Sequence, residues 1–292
     1  MAFLGRHFKR LVAAYHGPEG DAFALDELNP VIARFLPERG AVLEVGCGYG
    51  RNLFAVASLG RARLVVGSDV ERSELTRAQQ RVASLPEARR GSVSVVQQEP
   101  FRLPFPDDAF DFVILWQVLE HVFGDPQKQR LLDECVRVMK PGGHILVETP
   151  NQWFPFDHHD NKLPLVHWVL PMKGREWATH LVRGEKYHPS EYLTLPQCAG
   201  MIRKAPGVTA LRKVTSVYFA ASYGTAWREL AGPQAMLKRV IFALLAPVHF
   251  ALAPFGGSAD LFMPSIRAVW LVEKSRSAGR ARPAAAANAG PA

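Results

Sequence analysis

The feature that most constrains this chain is an alternation of short apolar runs with helical patterns between residues 38 and 150. Apolar runs joined by amphipathic helices are typical of parallel strands with crossover connections. The sequence therefore predicts an α/β fold, a Rossmann-like parallel sheet with helices on both faces and an antiparallel last strand. Strands are predicted over residues 42–45, 64–68, 93–97, 110–116, 144–148, 208–217 and 266–273, and helices over 52–59, 72–85, 127–139 and 190–204.

The segments around this alternation differ in composition. Residues 1–37 predict two N-terminal helices, of which the first is basic and amphipathic, and residues 38–274 predict a single domain. Within that domain, residues 151–189 are rich in Trp and His and predict an irregular lid, whereas residues 218–264 predict an apolar insertion. The tail, residues 275–292, has no apolar face to bury and is predicted to be disordered.

The charge and the cysteines restrict the class of protein. The net charge of +8 is concentrated in residues 201–292, and a basic surface of this kind can meet nucleic acid, an anionic membrane or only solvent. Cys47, Cys135 and Cys198 form no C-x-x-C pair, which argues against zinc and against a disulfide framework. No signal-peptide pattern begins the sequence. We therefore expect a cytoplasmic protein without a metal site.

Three glycines, Gly46, Gly48 and Gly50, follow the first predicted strand. The ligand crevice of an open parallel sheet lies at the carboxyl ends of its strands, and bare backbone there permits a tight turn and the close approach of a flat ligand. A dinucleotide fingerprint would need glycine where Arg51 stands, and no Gly-Lys-Ser/Thr follows for a P-loop. An ordinary glycine-rich turn is the remaining alternative.

Two carboxylates accompany this turn. Glu44 lies inside the strand, where it disfavours a pyrophosphate and suits a ligand that carries a positive amino group and a sulfonium. Asp69 ends the second strand, where a carboxylate can accept hydrogen bonds from both hydroxyls of a ribose. The alternative role for Asp69 is to cap the helix that follows.

Several motifs in a fixed order carry a resemblance to a known family. They are the run from Glu44 to Gly50, Asp69, Leu103-Pro104-Phe105, Phe110 to Val113, Leu119 to Val122, and Met139 to Gly143. Over roughly residues 38–150 the chain resembles the class I S-adenosylmethionine-dependent methyltransferases of the type 11 group, typified by the ubiquinone and menaquinone biosynthesis enzymes. The resemblance implies S-adenosylmethionine as cofactor and says almost nothing about the acceptor.

The resemblance also implies roles for residues of the cofactor site. Asp69 would hold the ribose, the glycine turn with Cys47 would lie beside the methionine moiety, and Val70 belongs to the same site.

The adenine would be bound after the third strand, where this chain departs from the family. The residue after Glu99 would donate its backbone N–H to the base, but Pro100 has none. Adenine would then be read by Glu99, by Phe101 or by stacking. Trp116 and Gln117, at the end of the fourth strand, are expected near the reactive centre.

Histidines are the candidates for a general base. Methyl transfer requires in-line approach of a nucleophile, and a positioned imidazole helps when the nucleophile is a hydroxyl. His158 is our first candidate and His121 the second, with purely structural roles as the alternative for each. Asp157 to Asp160 also resembles a metal cluster, but adjacent ligands on one short segment rarely converge on an ion.

The apolar stretch over residues 240–255 indicates the class of acceptor. It contains Pro247 and Pro254 and is shorter than the roughly twenty residues of a bilayer span. It could wall an apolar pocket, or it could dip into a membrane with Lys238 and Arg239 at the headgroups. Both readings predict methyl transfer to an apolar or lipid-linked small molecule, with peripheral contact to the inner face of a membrane in the second.

Two other functions stay open at this stage. The basic charge would suit a nucleic-acid methyltransferase, although no platform of aromatic and arginine residues is visible. The chain could also be a membrane-associated protein that binds S-adenosylmethionine without catalysis.

Overall fold

A computed structural model describes residues 28–29, 31–155, 165–183, 189–216, 247, 251 and 265–276. Within these residues seven strands form one sheet. The strands are β1 (Ala41–Val45), β2 (Leu64–Asp69), β3 (Val93–Gln97), β4 (Phe110–Trp116), β5 (Met139–Pro150), β6 (Val208–Ser216) and β7 (Ser265–Lys274).

Helices connect these strands. They are α1 (Arg51–Ser58), α2 (Arg72–Ala83), α3 (Glu87–Arg90), α4 (Asp125–Val138), α5 (Val166–Val169), α6 (Met172–Arg183) and α7 (Leu195–Lys204), with a 3-10 turn over Leu119–His121. Residues 31–35 are also helical and represent the end of the second predicted N-terminal helix.

The strand order is β3-β2-β1-β4-β5-β7-β6. Strands β1 to β5 pair in parallel, and β7 runs antiparallel to both β5 and β6. The predicted α/β fold with an antiparallel last strand is therefore confirmed. Strands β2 and β3 lie on one side of β1, whereas β4 and β5 lie on the other. The switch point where such sheets bind ligands therefore lies at the carboxyl ends of β1 and β4.

Each face of the sheet has its own apolar core. Side chains of α4 and α7, such as Leu132 and Ile202, cover one face, and α1 with residues 31–36 covers the other. All five residues of β1 are buried, as expected for a central parallel strand that is covered on both sides. The two layers hold the strand ends in place.

Three local predictions were wrong. The fifth strand, predicted to begin at residue 144, begins at Met139 as β5, and its pairing with β4 shifts between Phe110 and Phe112. Residues 165–183 of the expected irregular lid form α5 and α6. In addition, α7 begins at Leu195 rather than near residue 190, because Thr194 and Gln197 form a capping box there.

Several predicted segments lie outside the described residues. They are the basic N-terminal helix, nearly all of the apolar insertion, and the tail after residue 276. Among the described residues, no helix is long and apolar enough to cross a membrane. All three cysteines are buried free thiols, and burial raises the pKa of each.

Candidate functional site

A cavity of about 520 Å³ lies at the carboxyl edge of the sheet, at the switch point. The ends of β1 and β2 and the segments that follow β3 and β4 form its walls. The lining residues are Val45, Gly46, Asp69, Val70, Gln98, Pro100, Phe101, Gln117, Val118, His121, Val122, Phe123 and Leu131. The structure therefore brings six of the predicted site residues to one cavity: Gly46, Asp69, Val70, Phe101, Gln117 and His121.

Two features of the turn after β1 require glycine at position 46. The φ of Gly46 is +70°, a left-handed conformation that residues with a Cβ rarely adopt. A Cβ there would lie 2.5 Å from Val118 Cγ2. The carbonyl oxygen of Ser68 accepts hydrogen bonds from the backbone nitrogens of Gly46 and Cys47 at 2.7 and 3.0 Å. These two bonds fix the turn against the end of β2.

Asp69 connects the turn to β2. Its Oδ2 accepts from the backbone nitrogen of Gly48 at 2.8 Å, and its Oδ1 accepts from that of Glu71 at 2.9 Å. A carboxylate has about four acceptor positions, so each oxygen keeps one. Asp69 does not cap α2, because Glu71 is the N-cap and accepts from Ser73. A ribose diol placed at the cavity would meet the remaining acceptor positions.

Glu44 lies behind the turn and is not part of the cavity lining. The residue is 2% exposed, its Oε1 accepts from Asn52 Nδ2 at 2.7 Å, and its Oε2 has no partner in the described structure. Burial raises the pKa of Glu44 to about 8. At neutral pH the carboxyl group is therefore mostly uncharged, and its predicted role toward a cationic ligand stays a prediction.

Cys47 and Gly50 shape the turn without lining the cavity. Cys47 is 7% exposed, and a Cβ added at Gly67 would lie 2.8 Å from its sulfur. At Gly50, a Cβ would lie 3.0 Å from the Cβ of Ala78 in α2. Both positions therefore allow close packing of the turn against β2 and α2, and Gly48 contributes its N–H to Asp69.

The segment after β3 forms the far end of the cavity. The side chain of Glu99 is 74% exposed and lies 3.6 Å from Arg102, so it does not line the cavity. Phe101 lines it, with a φ of +58°. Gln98, which belongs to the run expected to meet adenine but was not named as a site residue, is 9% exposed and also lines the cavity.

The end of β4 forms the opposite wall. Gln117 lines the cavity and donates from its backbone nitrogen to the carbonyl oxygen of Glu148 at 2.9 Å. Trp116 is 7% exposed and lies outside the lining, with the Arg267 guanidinium 5.3 Å from its ring centroid. Trp116, Glu148 and Arg267 pair in register across β4, β5 and β7, so their side chains share one face beside the cavity.

Of the two candidate histidines, His121 lines the cavity and His158 lies outside the described residues. The 3-10 turn that carries His121 is anchored by its neighbour Glu120, which is fully buried. Glu120 Oε2 accepts from Thr149 Oγ1 at 2.9 Å, and its carbonyl oxygen accepts from the backbone nitrogen of Glu191. The position of His121 is thus fixed by β5 and by the segment before α7.

Sequence reasoning missed most of the apolar wall, which consists of Val118, Val122, Phe123 and Leu131. The first three follow β4, and their position in the chain could have identified them. Leu131 lies on α4 and reaches the cavity only because that helix packs back against the sheet. No local sequence pattern marks it as a site residue.

The chain is similar to known methyltransferases in sequence. A family model described as a methyltransferase domain matches residues 43–147. A protein of Mycolicibacterium smegmatis named a probable S-adenosylmethionine-dependent methyltransferase is 35% identical, over 38% of this chain and 38% of its own length. A ubiquinone biosynthesis O-methyltransferase of Saccharophagus degradans is 32% identical, over 50% of this chain and 60% of its own length.

A solved structure gives the same fold. A protein of Bordetella parapertussis described as a possible exported protein superposes with a TM-score of 0.51 at 15% identity, over 88% of this chain and 68% of that chain. At this identity the likeness concerns the fold alone. The chain spans less than two thirds of the length of each of these two relatives. The residues matched by the family model include the glycine turn, Asp69 and the walls of the cavity. Residues 43–147 are therefore similar in sequence to the methyltransferase domain of S-adenosylmethionine-dependent enzymes.

Proposed function

We propose that this protein transfers a methyl group from S-adenosylmethionine to an apolar or lipid-linked small molecule by in-line displacement. The observation that carries the proposal is the position of the Asp69 carboxylate at the cavity and its hydrogen bonding to the glycine turn. This carboxylate closes the glycine turn through Gly48, each of its oxygens accepts only one hydrogen bond within the described residues, and the residue lines the cavity. This arrangement suits the ribose of a nucleoside cofactor.

The other residues of the cavity fit the rest of the cofactor. Gly46, whose bare backbone packs against Val118 and lines the cavity, is the proposed place for the methionine moiety. Gln117 lines the same cavity. Phe101 presents an aromatic ring near the end where the base would lie. When bound, S-adenosylmethionine supplies a methyl group on a positively charged sulfur, so no metal or redox group is needed.

The protein's main contribution to the reaction is alignment. Holding the acceptor atom in line with the bond to be broken can lower the barrier by about 7–11 kcal/mol. We propose His121 as the base that takes the proton of an acceptor hydroxyl, because it lines the cavity on an anchored turn. Such a base adds about 10²–10⁴-fold. His158 remains the alternative base.

The proposal of an apolar acceptor is supported by the wall after β4. Val118, Val122, Phe123 and Leu131 are all apolar, and burial of a hydrophobic acceptor against them is favourable. By name, the relative from Saccharophagus degradans acts in ubiquinone biosynthesis, which agrees with a small hydrophobic acceptor here.

We further propose that the protein meets an anionic membrane surface from the cytoplasmic side. Trp168, Val169, Trp177, Leu181 and Val182 of α5 and α6 are 49–69% exposed, and we call them the α5–α6 apolar surface. Exposed apolar groups on a chain with a net charge of +8 suit the interface of an anionic bilayer. A hydrophobic acceptor could then be taken directly from the membrane.

The cofactor is tested by isothermal titration of the purified chain with S-adenosylmethionine and S-adenosylhomocysteine. Because a hydrogen bond to a charged group contributes about 1.5–3 kcal/mol, Asp69→Ala should weaken binding by at least about tenfold. Glu38→Ala is the matched control, since Glu38 is an exposed carboxylate just before β1 at the opposite edge of the sheet. Absence of binding by the intact protein would refute the proposal.

A further inference from the structure

We infer that Gln98 binds the adenine base of the cofactor, in place of Glu99 and of the backbone after it. This inference rests on the proposed function. It concerns the segment after β3, where Pro100 lines the cavity but has no N–H to give to the base.

Gln98, Glu99 and Pro100 follow β3 and differ in their solvent exposure and in their contact with the cavity. The Glu99 side chain is 74% exposed beside Arg102, and it does not line the cavity. Pro100 lines the cavity but has no donor. Gln98 lines the cavity as well and is 9% exposed. Among these three, Gln98 alone brings a polar side chain to the cavity.

The Gln98 carboxamide also lacks a partner. Its Oε1 is buried and accepts no hydrogen bond within the described part of the chain. Buried polar atoms are nearly always hydrogen-bonded in folded proteins, and an exception calls for a missing partner. The exocyclic amine of adenine is a donor of the required kind.

Gln98 is also connected to the residue proposed for the ribose. Its backbone nitrogen donates to the carbonyl oxygen of Asp69 at 2.9 Å, and Asp69 pairs in register with Gln97 across β2 and β3. A nucleoside whose ribose lies on Asp69 would therefore have its base close to Gln98. Phe101, three residues further on, supplies an apolar surface in the same cavity.

The chemistry of the amide matches adenine. The Gln98 oxygen can accept from the exocyclic amine while its Nε2 donates to the adjacent ring nitrogen, the pairing that glutamine makes with adenine in nucleic-acid recognition. An ionised glutamate at this place would offer only acceptors, and one of its oxygens would be repelled by the ring nitrogen, which is also an acceptor. A neutral amide therefore suits the base better than the carboxylate of Glu99.

The test compares Gln98→Met with Glu99→Gln in titrations with S-adenosylhomocysteine and 5′-methylthioadenosine, which share the adenosine moiety. Gln98→Met should weaken both ligands by the same factor of about ten, which corresponds to about 1.4 kcal/mol. Glu99→Gln should change neither by more than about twofold, since an exposed side chain makes no contact with the base. Equal losses for both ligands would locate the missing contact at the nucleoside.

The melting temperature without ligand separates binding from folding. Methionine has nearly the same shape as glutamine and leaves no polar atom unpaired, so unliganded Gln98→Met should melt at or above the temperature of the wild type. If Gln98→Met bound both ligands like the wild type, or if the loss appeared in Glu99→Gln instead, the inference would be overturned. If the wild type bound neither ligand, the proposed function itself would fall.

Discussion

Asp69 Oδ2 lies 2.8 Å from the backbone nitrogen of Gly48, which makes the residue proposed for the ribose also the residue that closes the glycine turn. One carboxylate thus serves folding and binding together. Substitutions of Asp69 must therefore be chosen so that the two effects separate.

Asp69→Asn separates them better than Asp69→Ala. Asparagine keeps one oxygen that can accept a hydrogen bond from the backbone nitrogen of Gly48 or of Glu71. The melting temperature of the Asp69→Asn variant should therefore fall less than that of the Asp69→Ala variant. It cannot supply two charged acceptors to a ribose, so binding of S-adenosylhomocysteine should still weaken about tenfold. Thermal unfolding and titration of both variants give the comparison, and unchanged binding in Asp69→Asn would argue against a charged contact to the ribose.

Gly46→Ala should damage the turn and the cavity together. The new methyl group would lie 2.5 Å from Val118 Cγ2, and its backbone would keep a φ of +70°. Such strain costs about 1–3 kcal/mol, measurable by urea unfolding, and binding of S-adenosylhomocysteine should weaken as the turn moves.

Gly200→Ala is the matched control for this substitution. Gly200 lies in α7, and a Cβ there meets nothing within 4 Å. Alanine in a helix interior should stabilise the protein by up to about 1 kcal/mol. Equal effects of the two substitutions would mean that the geometry of the turn at Gly46 is unimportant.

Glu44 should make stability depend on pH. The pKa of Glu44 in the folded protein is about 8, against 4.5 for the free group. Its contribution to folding is therefore fully present below pH 4.5 and is lost as the pH rises through about 8. In Glu44→Gln the amide oxygen can still accept from Asn52, but the side chain cannot ionise. This variant should therefore not lose that stability as the pH rises.

The free energy of unfolding of Glu44→Gln, relative to wild type, should rise between pH 5 and pH 8.5. A change of at least about 2 kcal/mol is expected, because one pKa unit corresponds to about 1.4 kcal/mol. Urea unfolding at both pH values measures it. Parallel pH profiles for the two proteins would show that Glu44 is ionised in the folded state.

The α5–α6 apolar surface should decide binding to membranes. Trp177 and Leu181 are both 65% exposed and lie one helical turn apart, so Trp177→Ser with Leu181→Ser removes much of the surface. We expect this double variant to co-sediment severalfold less with vesicles of phosphatidylglycerol and phosphatidylcholine.

Val70→Ser is the control for vesicle binding, because Val70 is an exposed apolar residue outside that surface. Vesicles of phosphatidylcholine alone should bind the wild type weakly, since the attraction depends on anionic lipid. Retention of the double variant on anionic vesicles at the wild-type level would exclude α5 and α6 as the contact.

The position of the site could be predicted from the sequence because its signals are local. Alternation of apolar runs identified the parallel strands, and in a parallel sheet the residues after each strand meet at one edge. Gly46, Asp69 and Gln117 each follow a predicted strand and all reach the cavity. The spacing of the glycines, and the exclusion of a dinucleotide-binding fingerprint and of a P-loop, could also be read from the sequence alone.

Other features depend on contacts between distant parts of the chain. Gln98 and Glu99 are neighbours of similar size, and only packing around the cavity buries the first and exposes the second. Glu44 has its raised pKa because α1 and the sheet together exclude water from it. The sequence by itself determined the strands and the edge at which the site lies. Tertiary structure decided which side chains face the cavity, because burial is set by every element that packs around a residue and not by its neighbours in the chain.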